Sequence, residues 1–117
     1  MRLLVCGGRG FADEPGFNRL MGTLIERPSV VIHGGARGAD RMAGRWALNH
    51  GIPAEVYEAD WDRDGKAAGP IRNARMLAEG KPDLVLALPG GRGTADMVAK
   101  AEAAGVPVVM AYSPHTP

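Results

Sequence analysis

Five short apolar runs alternate along this chain with four amphipathic stretches, and that alternation leaves few folds open to it. Residues 2–6 (RLLVC), 29–33 (SVVIH), 54–57 (AEVY), 83–88 (DLVLAL) and 106–111 (VPVVMA) have the length and β-branched content of buried strands. Between them, residues 16–26, 38–49, 71–79 and 94–104 carry apolar side chains at helical spacing, as in Met42 with Trp46 and Ala43 with Ala47. Gly51, Gly80 and Gly105 sit just past three of these stretches, each followed two positions later by a proline, the pattern of helix C-caps. The order is therefore β-α-β-α-β-α-β-α-β. Strands this uniformly apolar are covered on both faces, so the expected fold is α/β: a single Rossmann-like, doubly wound domain over residues 1–117. Its five-stranded, mainly parallel sheet should run 3-2-1-4-5 with helices on both faces. A chain of 117 residues with 45% hydrophobic side chains can fill one such core. Residues 58–69 (EADWDRDGKAAG) read as a long irregular stretch, which in so short a domain points to function.

Three of the expected strands end in glycine-rich turns: VCGGRGF, IHGGARGAD and LPGGRGTAD. In a 3-2-1-4-5 sheet these turns stand side by side at the carboxyl ends of the strands, where ligands of open α/β sheets bind. Glycine lets the backbone approach a ligand closely, and the unpaired N–H groups of a following helix suit a phosphate. The candidate ligand-binding residues are Gly7, Gly8 and Arg9 in the first turn, and Gly34, Gly35 and Arg37 in the second. The third turn contributes Gly90, Gly91, Arg92, Gly93 and Thr94, with Thr94 serving as helix N-cap or as a further donor. Tight turns alone also account for any one of these glycine pairs. Arg72 and Asn73 join the list from the start of the third helix, after Pro70. A cation in a first turn opposes the helix dipole by roughly 0.3 to 1 kcal/mol, so Arg72 is better placed for an anion than for stability. Eleven of the fourteen basic residues are arginine, which favours bidentate phosphate contacts, although an arginine-rich composition explains the count as well. The turns match neither a dinucleotide GxGxxG fingerprint nor a Walker A motif, so no cofactor is called for and P-loop ATP hydrolysis is disfavoured.

A net charge of +1 gives no global pull toward nucleic acid or an acidic membrane. Cys6 is the only cysteine, and His33, His50 and His115 lack metal-ligand spacing, which excludes a disulfide framework and a structural zinc site. The first apolar run is too short for a signal peptide, and none approaches the roughly 18 residues of a membrane span. A cytoplasmic protein without membrane contact is the expectation.

The segments HGGARGADRMAGRWA, EADWDRDGKAAGPIRNARML and PDLVLALPGGRGTADMVAKA resemble the YspA/cpYpsA-related family of the SLOG superfamily, over nearly the whole chain. That superfamily includes the LONELY GUY phosphoribohydrolases and the Rossmann domain of the DNA-processing protein DprA. The resemblance implies a fold that binds a nucleotide or nucleotide-derived molecule, with the phosphate on residues 89–94. The phosphoribohydrolases carry an arginine at the start of the helix before this motif, matched by Arg72. They also carry a glutamate three residues after its threonine, and that position is Met97 here. Asp96 lies one residue early, turned by about 100° from that direction on a helix. As a catalytic carboxylate for cleaving an N-glycosidic bond, Asp40 in the first turn after GGARG is the better substitute, although an acid there also stabilises a helix N-terminus. Asp60 and Glu58 are further candidates. Gly10 departs from the GGRDF form of relatives.

Three readings follow from these residues. The first is nucleotide binding without turnover, and the second is a hydrolase releasing a base from a nucleotide through Arg72 and Asp40. The third, a single-stranded nucleic-acid binder like DprA, is disfavoured by the charge balance. The larger relatives pair through helices, which makes a homodimer plausible. Trp61 is suited to stacking on a base or to packing under its loop. Trp46 fits core or dimer surface, Cys6 and His33 fit structural roles, and the six methionines are core fillers.

Overall fold

Alternate residues of β1 (Arg2–Cys6) feed two separate cores, and the rest of the chain is arranged around that division. The computed structural model describes residues 1–111, so His115 lies outside the described residues. Leu3 and Val5 point to one face of the sheet, Leu4 and Cys6 to the other, as a period of two requires. On the first face Phe17 and Met21 of α1 (Glu14–Gly22) meet Met42, Ala43, Trp46 and Ala47 of α2 (Ala39–Asn49). On the second, Met76 of α4 (Ala68–Gly80) meets Met97 and Ala101 of α5 (Arg92–Ala103). Leu3, Leu4, Val5, Phe17, Val31 and Leu86 have no exposed surface, and each such side chain contributes roughly 1.5 to 3 kcal/mol by leaving water.

The sheet order is β3-β2-β1-β4-β5 with every pairing parallel, the order expected from the sequence. β2 (Val30–His33) and β4 (Leu84–Ala87) flank β1, while β3 (Ala54–Val56) and β5 (Val108–Met110) form half-exposed edges. The strand order reverses beside β1, which sets the carboxyl ends of β1, β2 and β4 around one crevice.

Of the boundaries that differ from the sequence reading, three have a clear physical cause. The first helix runs Glu14–Gly22 instead of 16–26: Asp13 caps it by accepting from the Gly16 N–H (3.0 Å), and the Thr23 hydroxyl closes it on the Leu20 carbonyl (2.6 Å). Residues 58–69 are irregular only as far as Asp60, and the rest is helical. Asp60 accepts from the Arg63 N–H (3.0 Å) and starts α3 (Trp61–Asp64), a 3-10 turn follows over Gly65–Ala67, and α4 begins at Ala68 with Pro70 in its first turn. Gly80 is the last residue of α4 and not its cap. It is buried, where an added Cβ would lie 3.3 Å from Ile32 Cδ1, and the left-handed conformation falls on Lys81 at φ 47°.

Candidate functional site

The glycine turns pack first on one another. The Gly8 N–H donates to the Pro89 carbonyl (2.8 Å), while the Gly8 carbonyl accepts from the N–H groups of Phe11 and Ala39 (both 3.2 Å). A methyl group on Gly90 would sit 2.6 Å from the Gly8 nitrogen, so this approach of two strand ends requires glycine. Gly91 and Gly93 are different: an added Cβ at either meets nothing within 4 Å. They open onto the crevice at the head of α5, which starts at Arg92 with Gly91 as its cap and no side-chain cap bond. Thr94 is therefore not the N-cap; the helix begins two residues earlier, and its hydroxyl lies in the first turn.

The crevice has a volume of about 560 Å³. Cys6, Gly7 and Gly8 at the end of β1 form its floor, the head of α5 one wall, and α4 with the α3 segment the other. Four basic side chains line it, Arg9, Lys66, Arg72 and Arg92, against two carboxylates, Asp40 and Asp96. A second chamber of about 250 Å³ adjoins it and shares Arg9, Ala36, Trp61 and Arg72 with it; Gly34, Gly35 and Glu58 belong to this chamber alone. Arg37 and Gly90 are both exposed, and neither lines a cavity.

A hydrogen-bonded chain crosses the crevice from α5 to the end of β2. The Asn73 amide, 4% exposed, donates from Nδ2 to Asp96 Oδ2 (3.0 Å) and to the Gly93 carbonyl (3.2 Å). Its Oδ1 accepts from Arg72 Nε (3.0 Å), and Arg72 Nη1 donates to the Gly34 carbonyl (2.9 Å). Asp40 closes the series: it is buried, accepts from the Ala36 N–H (3.2 Å), and feels the charge of Arg72. Burial raises the Asp40 pKa above the usual carboxylate value, against the lowering effect of these neighbours. Burial also raises that of Asp96, but hydrogen bonds from Lys100 (2.5 Å) and Asn73 outweigh it and hold the carboxylate low. Burial, then the charge of Asp40, pushes the Cys6 thiol up to about 12, so Cys6 contributes an inert surface to the floor.

Asp96 is the residue that the sequence placed wrongly. Met97 is wholly buried in the core beneath α5, and Asp96, expected to turn away, lines the crevice. A helix on a sheet must bury its apolar stripe, here Met97 and Ala101, and that fixes its neighbour's direction. The stripe was legible in the sequence; Lys66 carried no signal beyond lying in the stretch marked as functional. Of the other acids, Asp60 is occupied as the cap of α3, and Glu58 lines the smaller chamber. Trp61, half-exposed, stands between the two cavities, with the Arg9 guanidinium 5.7 Å from its ring centroid. Trp46 is buried in the core and stacked on His50. Among the described residues no group of three His, Cys, Asp or Glu side chains is placed to hold a metal ion.

His33 supports the second turn from beneath. Its Nδ1 accepts from the Gly35 N–H (3.0 Å), which fixes the ring proton on Nε2, and burial lowers its pKa below the ordinary 6.5. The unfolded chain therefore takes up this proton before the folded one does. The stability that His33 contributes is intact above about pH 6.5 and is lost as pH falls from there toward the lower folded value. Asp40, with its raised pKa, works in the opposite sense, so the His33 contribution is read as a difference. Urea midpoints measured between about pH 7.5 and pH 5 should fall less in His33→Asn, which keeps an acceptor near the Nδ1 position, than in the parent chain. Parallel curves for the two proteins would show that His33 does not titrate with folding.

Comparison with known proteins places these features in a lineage. The family model of the YspA, cpYpsA-related SLOG family matches residues 1–63. The Gene 61 protein of Mycobacterium phage D29 is 40% identical over 118 aligned positions, covering 92% of this chain and 94% of the phage protein.

Proposed function

The chain belongs to the YspA, cpYpsA-related SLOG family, and from that premise we propose that it binds a phosphate-bearing, nucleotide-derived small molecule in the crevice at the ends of β1, β2 and β4. The observation that carries this reading is the head of α5. Its first turn has no side-chain cap, Gly91 and Gly93 leave open space before it, and Arg9, Lys66, Arg72 and Arg92 surround the same volume. Helix N–H groups and unpaired guanidinium donors together form a site for a phosphate. The volume of about 560 Å³ is within the roughly 300 to 1,000 Å³ of small-molecule sites. In this reading Gly91, Arg92, Gly93 and Thr94 hold the phosphate, Arg72 adds a charged contact that Asn73 orients, and Gly7, Gly8 and Gly90 shape the floor. We place the protein in the cytoplasm, where such ligands occur. Among the described residues no helix is long and apolar enough to cross a membrane.

Thermal unfolding against nucleoside mono-, di- and triphosphates and short oligonucleotides tests this. A ligand at about 100 times its Kd adds about 2.7 kcal/mol, a rise of about 11 °C for a domain of this length. Arg72→Ala should then weaken the selected ligand by about 1 to 3 kcal/mol in titration calorimetry, the range for a hydrogen bond to a charged group. Silence across the panel overturns the reading. Oligonucleotide binding with steep salt dependence would replace the small molecule with a nucleic acid.

One observation favours a second reading, turnover. Asp40 lines the crevice near Arg72 with its pKa raised by burial, the condition of a carboxyl group that can pass a proton to a departing base. Chromatography of nucleoside monophosphates incubated with the protein should then show a free base, abolished by Asp40→Asn. Release equal in the two proteins removes Asp40 from any chemistry.

A further inference from the structure

The smaller chamber adds one acidic side chain, Glu58, to a wall whose other charged side chains it shares with the crevice it adjoins. At about 250 Å³ it falls below the roughly 300 Å³ at which small-molecule sites begin, so it suits part of a ligand and not a separate one. Its shared wall of Arg9, Trp61 and Arg72 makes the two volumes continuous. Within the chamber, two hydrogen-bonding groups of the turn at 34–35 are already engaged: the Gly35 N–H by His33, and the Gly34 carbonyl by Arg72. Arg72 in turn donates Nε to Asn73 and Nη1 to Gly34, and its Nη2 donors remain for the anion in the crevice. Glu58 is different. Its side chain lies across Gly35, where an added Cβ would come within 3.2 Å of Glu58 Cγ and 3.5 Å of Oε1. Its carboxylate has no hydrogen-bond or ion-pair partner among the described residues, although two arginines line the same chamber.

A free carboxylate accepts hydrogen bonds and repels a second phosphate. Its two oxygens match a pair of adjacent hydroxyls, and the Trp61 ring beside it offers an apolar face to a sugar ring. We propose that Glu58 is a specificity-determining residue, reading the vicinal diol of a ribose whose phosphate sits at the head of α5. The inference rests on the phosphate site proposed above and adds that the ligand is a ribosyl, and not a deoxyribosyl, phosphate. Connectivity favours a sugar over a base here: in a nucleotide the sugar is the group attached to the phosphate, and the chamber meets the crevice at Arg72, the side chain proposed above to contact that phosphate.

The test uses three probes without a base: ribose 5-phosphate, 2-deoxyribose 5-phosphate and inorganic phosphate, titrated calorimetrically into the full chain. The parent protein should bind ribose 5-phosphate about tenfold tighter than the deoxy compound, as expected for one hydrogen bond to a charged group. Glu58→Gln should reduce that preference to about twofold or less without weakening the binding of inorganic phosphate. Glu58 is exposed, so the variant is expected to melt with the parent. Equal binding of the two sugar phosphates by the parent, or a preference that survives in Glu58→Gln, overturns the diol reading while leaving the phosphate site standing. Failure of all three probes, inorganic phosphate included, removes the phosphate site and the inference with it.

Discussion

A Gly38→Ala variant is expected to unfold about 12 °C below the parent chain in a thermal melt, from a loss of roughly 3 kcal/mol at about 4 °C per kcal/mol for a domain of this length. Gly38 precedes α2 at φ 77° and ψ −124°, a region that side chains rarely enter. A Cβ there would also lie 2.6 Å from the Arg9 carbonyl oxygen and closer still to that of Gly8. The strained backbone costs about 1 to 2 kcal/mol and the overpacking about 1 to 3 kcal/mol. Relief by moving the first turn breaks the bond from the Ala39 N–H to the Gly8 carbonyl, so neither escape is free. Gly91→Ala is the matched control. Its φ is −98° and an added Cβ meets nothing, so it should melt within about 2 °C of the parent, the usual range for a surface change. Equal melting of the two variants would show that the turns do not interlock.

Asn73→Ala should lower stability by about 3 kcal/mol in urea unfolding, because a buried amide that uses Oδ1 once and Nδ2 twice leaves three partners unsatisfied. The damage spreads in both directions along the chain of bonds. Arg72 keeps only its contact with the Gly34 carbonyl, and Asp96 keeps only Lys100. Ligand affinity should therefore fall with stability, since the side chain that meets the anion is no longer oriented. A double-mutant cycle with Asp96→Ala isolates the link between α4 and α5, with an expected coupling of at least about 0.5 kcal/mol. Strict additivity would mean that the two helices are held only by their apolar contacts.

The strand order was legible because it follows from two local facts, the apolar runs and the helices between them, together with the handed connections of parallel sheets. The glycines were only half legible. Sequence shows that a turn is glycine-rich, but not whether the missing side chain makes room for the chain itself, as at Gly38 and Gly90, or leaves open space, as at Gly91 and Gly93. That distinction depends on residues far away in sequence. Arg37 shows the same limit: it stands one residue further from its glycine pair than Arg9 does, Ala36 takes the matching position, and only Arg9 reaches the crevice. Asp96 was misjudged for a different reason. A motif's register was given priority over the apolar stripe of the helix, and the stripe decided the direction. Residues 58–69 hid two short helical segments because turns of this length have no periodicity to read.

The floor of the crevice is joined by main-chain bonds between segments distant in sequence, the Gly8 N–H on the Pro89 carbonyl and the Ala39 N–H on the Gly8 carbonyl. Such contacts form only after long loops have closed. An intermediate in which β1 and β2 have paired without β4 lacks the Pro89 carbonyl that holds Gly8 in the floor and has no helix head facing it. Recognition is consequently a property of the finished topology: a small molecule can stabilise the completed fold by mass action, but it finds no template to assemble during folding.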